Sequence, residues 1–232
     1  MPTACLIDGD FFLKRYRRIF GSKTANEVAH GLHRMCRDHL VQKDAERDLY
    51  RIYFYDCPPL MKKAHHPLTG EPVDFAESRV AHFRNELHAE LKKLRKLALR
   101  LGYLDERHGA WSVRADPLKD LLAGRIATDQ LEEDDLYYQV RQKGVEMRMG
   151  MDITALALKR QVDQIVLVAG DGDFVPAAKL ARREGVDFVL DPMWHPVPDA
   201  LHEHVDGLRS TCPRPGSRSA GARVERFERQ SG

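Results

Sequence analysis

Apolar and polar residues alternate along this chain in a recurring unit: a short apolar run, an acid, then a stretch spaced for a helix. The unit is sharpest at residues 165–169 (IVLVA), which break at Gly170 and are followed at once by Asp171 and Asp173. A run this short and rich in Val and Ile predicts a strand, and its lack of polar alternation predicts burial on both faces, as in a parallel sheet. Residues 4–7 (ACLI) repeat the pattern and end in Asp8-Gly9-Asp10. Residues 49–55 (LYRIYFY) predict a second strand, stopped by Cys57-Pro58-Pro59. Residues 136–140 (LYYQV) predict a third, and 186–190 (VDFVL), closed by Asp191-Pro192, the last.

The segments between them carry helical spacing. Val28, Leu32, Met35 and Leu40 predict a helix over 25–40, while 11–20 reads as a loop running into a helix. Val80, Phe83, Leu87, Leu91, Leu94, Leu97 and Leu101 line one stripe, predicting a long helix over 76–101 with a basic opposite face. Further helices are expected over 147–160, 175–183 and 200–208, and a small hairpin over 103–114. Strands alternating with helices predict an α/β sandwich, three layers deep, with a mostly parallel sheet. Residues 1–210 are expected to form one domain with a helical insertion over about 60–135. Residues 211–232, rich in Pro, Gly, Ser and Arg, are expected to be a flexible basic tail.

Composition changes this picture little. The 232 residues are 43% hydrophobic and 31% charged, as in an ordinary soluble globular protein, and the net charge of +2 announces no polyanion partner by itself. No apolar run approaches the roughly 20 residues needed to span a bilayer. The first residues enter a strand without a basic leader, so a cytoplasmic protein is expected. Cys5, Cys36, Cys57 and Cys212 form no C-x-x-C pair and read as reduced, buried thiols. The eleven histidines show no zinc-site spacing.

Carboxylates change it more. Asp8 and Asp10, Glu146 and Asp152, and Asp171 and Asp173 lie at strand ends or helix starts in three separate segments. In a parallel sheet these points share one edge, the edge where ligands bind. Like charges gathered there are tolerable beside a cation. Oxygen donors without His or Cys suit Mg²⁺ or Mn²⁺. Such an ion can activate water and neutralise charge on phosphorus, the chemistry of a nuclease. Each acid also has a plainer reading: Asp8 and Asp171 as turn residues, Asp173 as a helix N-cap, Asp152 as a solvated helix acid. Glu146, six positions from Asp152, falls about 120° off that residue's helical face. Lys14, Arg15, Arg17 and Arg18 after the first acid, and Lys143 before the 147–160 helix, are candidates to hold RNA phosphates. Asp56 and Asp191 sit beside prolines and read as turn residues.

IDGD at 7–10, KGVEMRMGMD at 143–152 and AGDGDF at 169–174 together resemble the signature stretches of the NYN domain family, in the LabA-like branch of the PIN-like nucleases, and RIYFYDCPPL at 51–60 is similar to that branch's second strand. The resemblance implies a PIN-like sheet of order 3-2-1-4-5 and a Mg²⁺- or Mn²⁺-dependent ribonuclease. It places the metal-binding and catalytic acids at Asp8, Asp152, Asp171 and Asp173, with Glu146 as a further metal ligand where the family often has Asp. It also implies an Asn three residues after the first Asp, where this chain has Phe11. Two alternatives remain open: a degenerate NYN domain that binds RNA or a protein without cutting, and a haloacid-dehalogenase-like phosphatase with Asp8 as nucleophile.

Overall fold

The computed structural model describes residues 2–42 and 45–216. Six strands form one sheet: β1 (Pro2–Asp8), β2 (Asp48–Asp56), β3 (Leu97–Leu101), β4 (Gln164–Val168), β5 (Asp187–Asp191) and β6 (Gly207–Leu208). All neighbouring pairs are parallel, and the order is β6-β5-β4-β1-β2-β3. The expected 3-2-1-4-5 order is therefore present, extended by a short sixth strand. The helices are α1 (Gly9–Phe20), α2 (Ala25–Leu40), α3 (Arg79–Lys93), α4 (Ala115–Leu122), α5 (Val145–Leu158), α6 (Val175–Arg183) and α7 (Asp199–His202).

Strand pleating sorts the core into two layers. Leu6, Tyr55, Leu167 and Leu190 face α5 and α6, while their neighbours Cys5, Ile7, Phe54, Val166 and Val168 face α1, α2 and α3. Successive side chains point to opposite faces, so a central strand covered on both sides must be apolar at every position. That is why 165–169 reads as an unbroken run. All four cysteines are buried and unpaired.

Several expected elements differ, among them the 103–114 hairpin, whose strands pair not with each other but with Gln142–Lys143 and Leu136–Gln139. The third sheet strand is not 136–140. Those residues pair antiparallel with Ala110–Val113 in a side hairpin, and the sheet's edge is taken by β3. The 76–101 helix stops at Lys93. Leu94 is already extended and Lys96 takes a left-handed φ of 61°. Leu97, Leu99 and Leu101 then alternate with Ala98 and Arg100 along a strand, so a leucine stripe that fits helical spacing also fits period two. The stretch 60–135 is thus not a purely helical insertion, since it delivers a sheet strand as well as α3, α4 and one small hairpin, Lys63–His65 with Pro72–Asp74. Residues 11–20 are helix throughout, because Asp8 caps α1 directly and leaves no loop after the strand. The 200–208 helix is only α7, since β6 follows it. The tail expected over 211–232 falls mostly outside the described residues. Its beginning packs on the fold: Cys212 is buried, and its carbonyl accepts from Trp194 Nε1 at 2.8 Å.

Two carboxylates that read as turn residues are buried anchors. Asp191, fully buried at the end of β5, pairs with His39 Nε2 of α2 at 2.8 Å and accepts the Met193 amide at 2.8 Å. Asp56, at the end of β2, is held by Arg84 and His88 of α3.

Candidate metal centre and nucleic-acid interface

Parallel strands bring their carboxyl ends to one edge, and three chain segments put acids there. Asp8 ends β1 and caps α1, accepting the Phe11 amide at 3.1 Å. Gly9 makes this turn possible: a Cβ there would sit 2.5 Å from the Tyr55 carbonyl oxygen of β2. Asp171 and Asp173 follow β4, folded by an Asx turn in which the Asp173 amide donates to Asp171 Oδ1 at 3.2 Å. Asp173 is not the N-cap of α6, a position taken by Phe174. Glu146 enters in the first turn of α5, which starts from Gly144 in the left-handed conformation at φ 79°.

These acids feel one another. Burial, then Asp171, Asp10 and Glu146, push the Asp8 carboxyl up to about 6, against the pull of the Phe11 amide. Burial, then Asp173 and Glu146, also raise Asp171. Asp10 is partly neutralised by Lys14 at 2.6 Å and by Arg84 at 3.2 Å.

Asp152 has other partners. Its Oδ2 accepts from the Tyr55 hydroxyl at 2.8 Å and Arg100 Nε at 3.2 Å, tying α5 to β2 and β3. Burial and that carboxylate together push the Tyr55 phenol up. The reason lies in helix geometry: six residues past Glu146, Asp152 has moved about 9 Å along α5 and onto another face. Of the two acids on this helix, the structure brings Glu146 to Asp8 and Asp171, and Asp152 to Tyr55.

The basic candidates divide too. Lys14 and Arg17 are exposed beside Asp10. Arg15 is turned inward and buried, giving Nε and Nη2 to the Met193 carbonyl at 3.1 and 2.6 Å, where Met193 and Trp194 both take left-handed φ. It holds this loop and offers nothing to a ligand. Lys143 is exposed, and its charge bears on Asp105. Sequence reasoning missed Arg84, Asp56 and His88, whose only signal was the i, i+4 spacing of Arg84 and His88 on the face of α3 turned to the sheet.

Phe11, at the position where the resemblance implies Asn, packs beside the site against Gly170. A Cβ on Gly170 would lie 2.3 Å from the Phe11 ring, so ring and glycine backbone are in contact. Phe11 also meets His195 edge-on at 5.9 Å. Gly170→Ala is expected to cost about 1–3 kcal/mol by overpacking. Urea denaturation of Gly170→Ala with and without Phe11→Ala checks this, since the two should be strongly non-additive.

The NYN domain profile matches residues 73–207, more than half of the sequence. The chain belongs to the NYN domain family. It is thereby a member of the PIN-like nuclease superfamily, whose NYN members are generally ribonucleases and whose nuclease domains generally use divalent metal ions. The matched span contains Glu146, Asp171 and Asp173, while Asp8 precedes it. No curated protein matches the chain. Among solved structures, a protein of unknown function from Vibrio parahaemolyticus RIMD 2210633 is similar, at 14% identity and a TM-score of 0.46, over 90% of this chain and 92% of that one. No helix among the described residues is long and apolar enough to cross a membrane.

Among the described residues of this NYN domain, no three His, Cys, Asp or Glu side chains form a ready-made cage for a metal. The donor set nevertheless fits Mg²⁺ or Mn²⁺. It is all carboxylate, it is crowded enough to raise two of its members, and these ions keep several waters while taking few protein ligands. Zinc, which wants His or Cys, does not fit.

Proposed function

We propose that this NYN domain, of the LabA-like type, is a ribonuclease that hydrolyses RNA phosphodiester bonds with Mg²⁺ or Mn²⁺ at the edge formed by Asp8, Glu146, Asp171 and Asp173. The observation carrying this reading is the burial, together with the mutual repulsion, of carboxylates from three distant segments, which raises Asp8 and Asp171 and which a divalent cation would relieve. The ion would be held by those four acids and would supply charge neutralisation at phosphorus and a more acidic water. Asp8 is fixed by the Phe11 amide and Asp171 by its turn, so both present their oxygens without reorganising. Lys14 and Arg17 on α1 would attract the RNA backbone toward the acids. The proposed setting is the cytoplasm, where thiols such as the four buried cysteines stay reduced.

Cleavage of generic single-stranded and structured RNAs with Mg²⁺, Mn²⁺ or chelator tests this. Chelator should abolish cutting, and Glu146→Gln should slow it by about 10-fold or more. Asp152→Asn should leave cutting near the wild-type rate while lowering stability by about 1 kcal/mol through its weakened bonds to Tyr55 and Arg100. Loss of activity in Asp152→Asn with none in Glu146→Gln would reverse the assignment. A second reading, an RNA-binding domain that does not cut, is favoured by Phe11 alone, since the ring fills the place of the family's Asn. It predicts RNA binding indifferent to chelator and no cutting with Mn²⁺. Membership of the NYN family leaves the phosphatase alternative without support.

A further inference from the structure

Beside the acid edge lies a cavity of about 330 Å³ between α1 and the start of α3, and the nuclease reading leaves its apolar floor unused. Its floor is apolar: Leu13 of α1 and Val80 and Phe83 of α3. Val80 is 67% exposed at a position where a helix in contact with solvent would normally carry a polar residue. Its rim is basic, formed by Arg17, Lys23 and Arg79. Arg17 and Arg79 are exposed and form no ion pair among the described residues. The cavity borders the acid edge at Asp10 and Arg84, which line it and are themselves paired at 3.2 Å. Asp10 in turn is one of the charges felt by Asp8.

We propose that this cavity is a nucleotide subsite that takes one unpaired base of a single-stranded RNA next to the phosphate presented to the acids. The apolar floor with the Phe83 ring suits a base face, which any of the four bases supplies. The cationic rim suits the phosphates on either side of that nucleotide. Arg84, restrained between Asp10 and Asp56, forms the boundary between the base pocket and the acid edge. A base in a duplex cannot enter, so the subsite selects unpaired RNA. This inference deepens the ribonuclease reading and rests on it for the identity of the strand.

The test measures binding, by anisotropy of a labelled oligouridylate of roughly ten nucleotides and of an abasic strand of equal length and charge, in chelator. The wild type should bind the base-bearing strand about 10-fold more tightly than the abasic one. Val80→Glu should remove that preference, and Arg79→Glu should weaken both strands and reduce the salt slope by about one. Both positions are exposed in the first turn of α3, where an acid suits the helix N-terminus, so the variants should fold. A Val80→Glu protein that keeps the full preference overturns the subsite. Because no cutting is measured, the two readings separate. A wild type that never cleaves but loses base preference in Val80→Glu sinks the nuclease and supports the subsite. One that cleaves while Val80→Glu binds unchanged does the reverse.

Discussion

Asp8→Asn should abolish metal-dependent RNA cleavage and at the same time make the metal-free protein more stable. Removing one carboxylate from a divalent site forfeits several kcal/mol of charge stabilisation, a loss of at least about 100-fold in rate. The gain in stability has a different source. Burial and the charges of Asp171, Asp10 and Glu146 raise the Asp8 carboxyl to about 6, so the folded protein holds that proton more tightly than the unfolded chain does. For an acid raised in this way, the penalty is absent below the unfolded pKa near 4, grows as pH rises, and is fully present above about 6. A shift of this size corresponds to roughly 2–3 kcal/mol. Asn keeps an oxygen for the Phe11 amide and carries no charge. Urea denaturation in chelator near pH 8 should therefore show Asp8→Asn more stable than wild type by on the order of 2 kcal/mol. The difference should vanish near pH 4.

Adding Mg²⁺ should invert that order. The ion binds the folded wild type and stabilises it by mass action, while Asp8→Asn gains much less. Protons compete for the same oxygens, so the metal-induced rise in the wild-type melting temperature should fade as pH drops through about 6. A wild type indifferent to Mg²⁺ at pH 8, together with an Asp8→Asn variant no more stable than it, would falsify the shared-charge site. Stability surrendered for a functional charge cluster is a common pattern, and here both halves of the exchange lie in one carboxylate.

What the sequence disclosed follows from what is local. Asp8, Asp171 and Asp173 stand directly after buried strands, and an apolar run ending in acid is visible without knowing any partner. Glu146 and Asp152 were harder to rank, because helical phase shows that they diverge but not which one faces the strand ends. The start of α5 at Gly144 puts Glu146, in its first turn, within electrostatic reach of Asp8. β3 was hidden because Leu97 and Leu101, four apart, satisfy helical and strand periods alike. Only the left-handed break at Lys96 separates them. Arg15 looked like its neighbours Lys14 and Arg17, yet its partner, the Met193 carbonyl, lies 178 residues away. His39 and Asp191 likewise meet across 152 residues. No local pattern reports such pairs. Their signature is burial of charge, which only the packed chain reveals.

Asp56 is where that lesson has its largest energetic consequence. The carboxylate is 1% exposed at the end of β2, with Arg84 on one oxygen and His88 Nε2 at 2.8 Å on the other. Arg84 and His88 are one turn apart on α3, so a single side chain fastens the face of that helix to the sheet. Its backbone carbonyl also accepts the Gly102 amide at 2.8 Å, fixing the exit from β3. Asp56→Ala leaves the buried His88 and the partly buried Arg84 facing a void, and removing one member of such a cluster costs about 3–5 kcal/mol. Replacing Asp56 and His88 together should cost less than the sum of the two single changes, because the second removes a group that the first has orphaned. Urea denaturation of the two single variants and the double variant measures this directly. Additive losses, or a loss below about 1 kcal/mol for Asp56→Ala, would remove Asp56 as the anchor. The consequence reaches the site through Arg84, which without Asp56 has only Asp10 to hold it and swings toward the acid edge. RNA affinity in folded Asp56→Asn should then fall even with Lys14, Arg17 and Arg79 intact, because α3 no longer sits at a fixed distance from the strand ends.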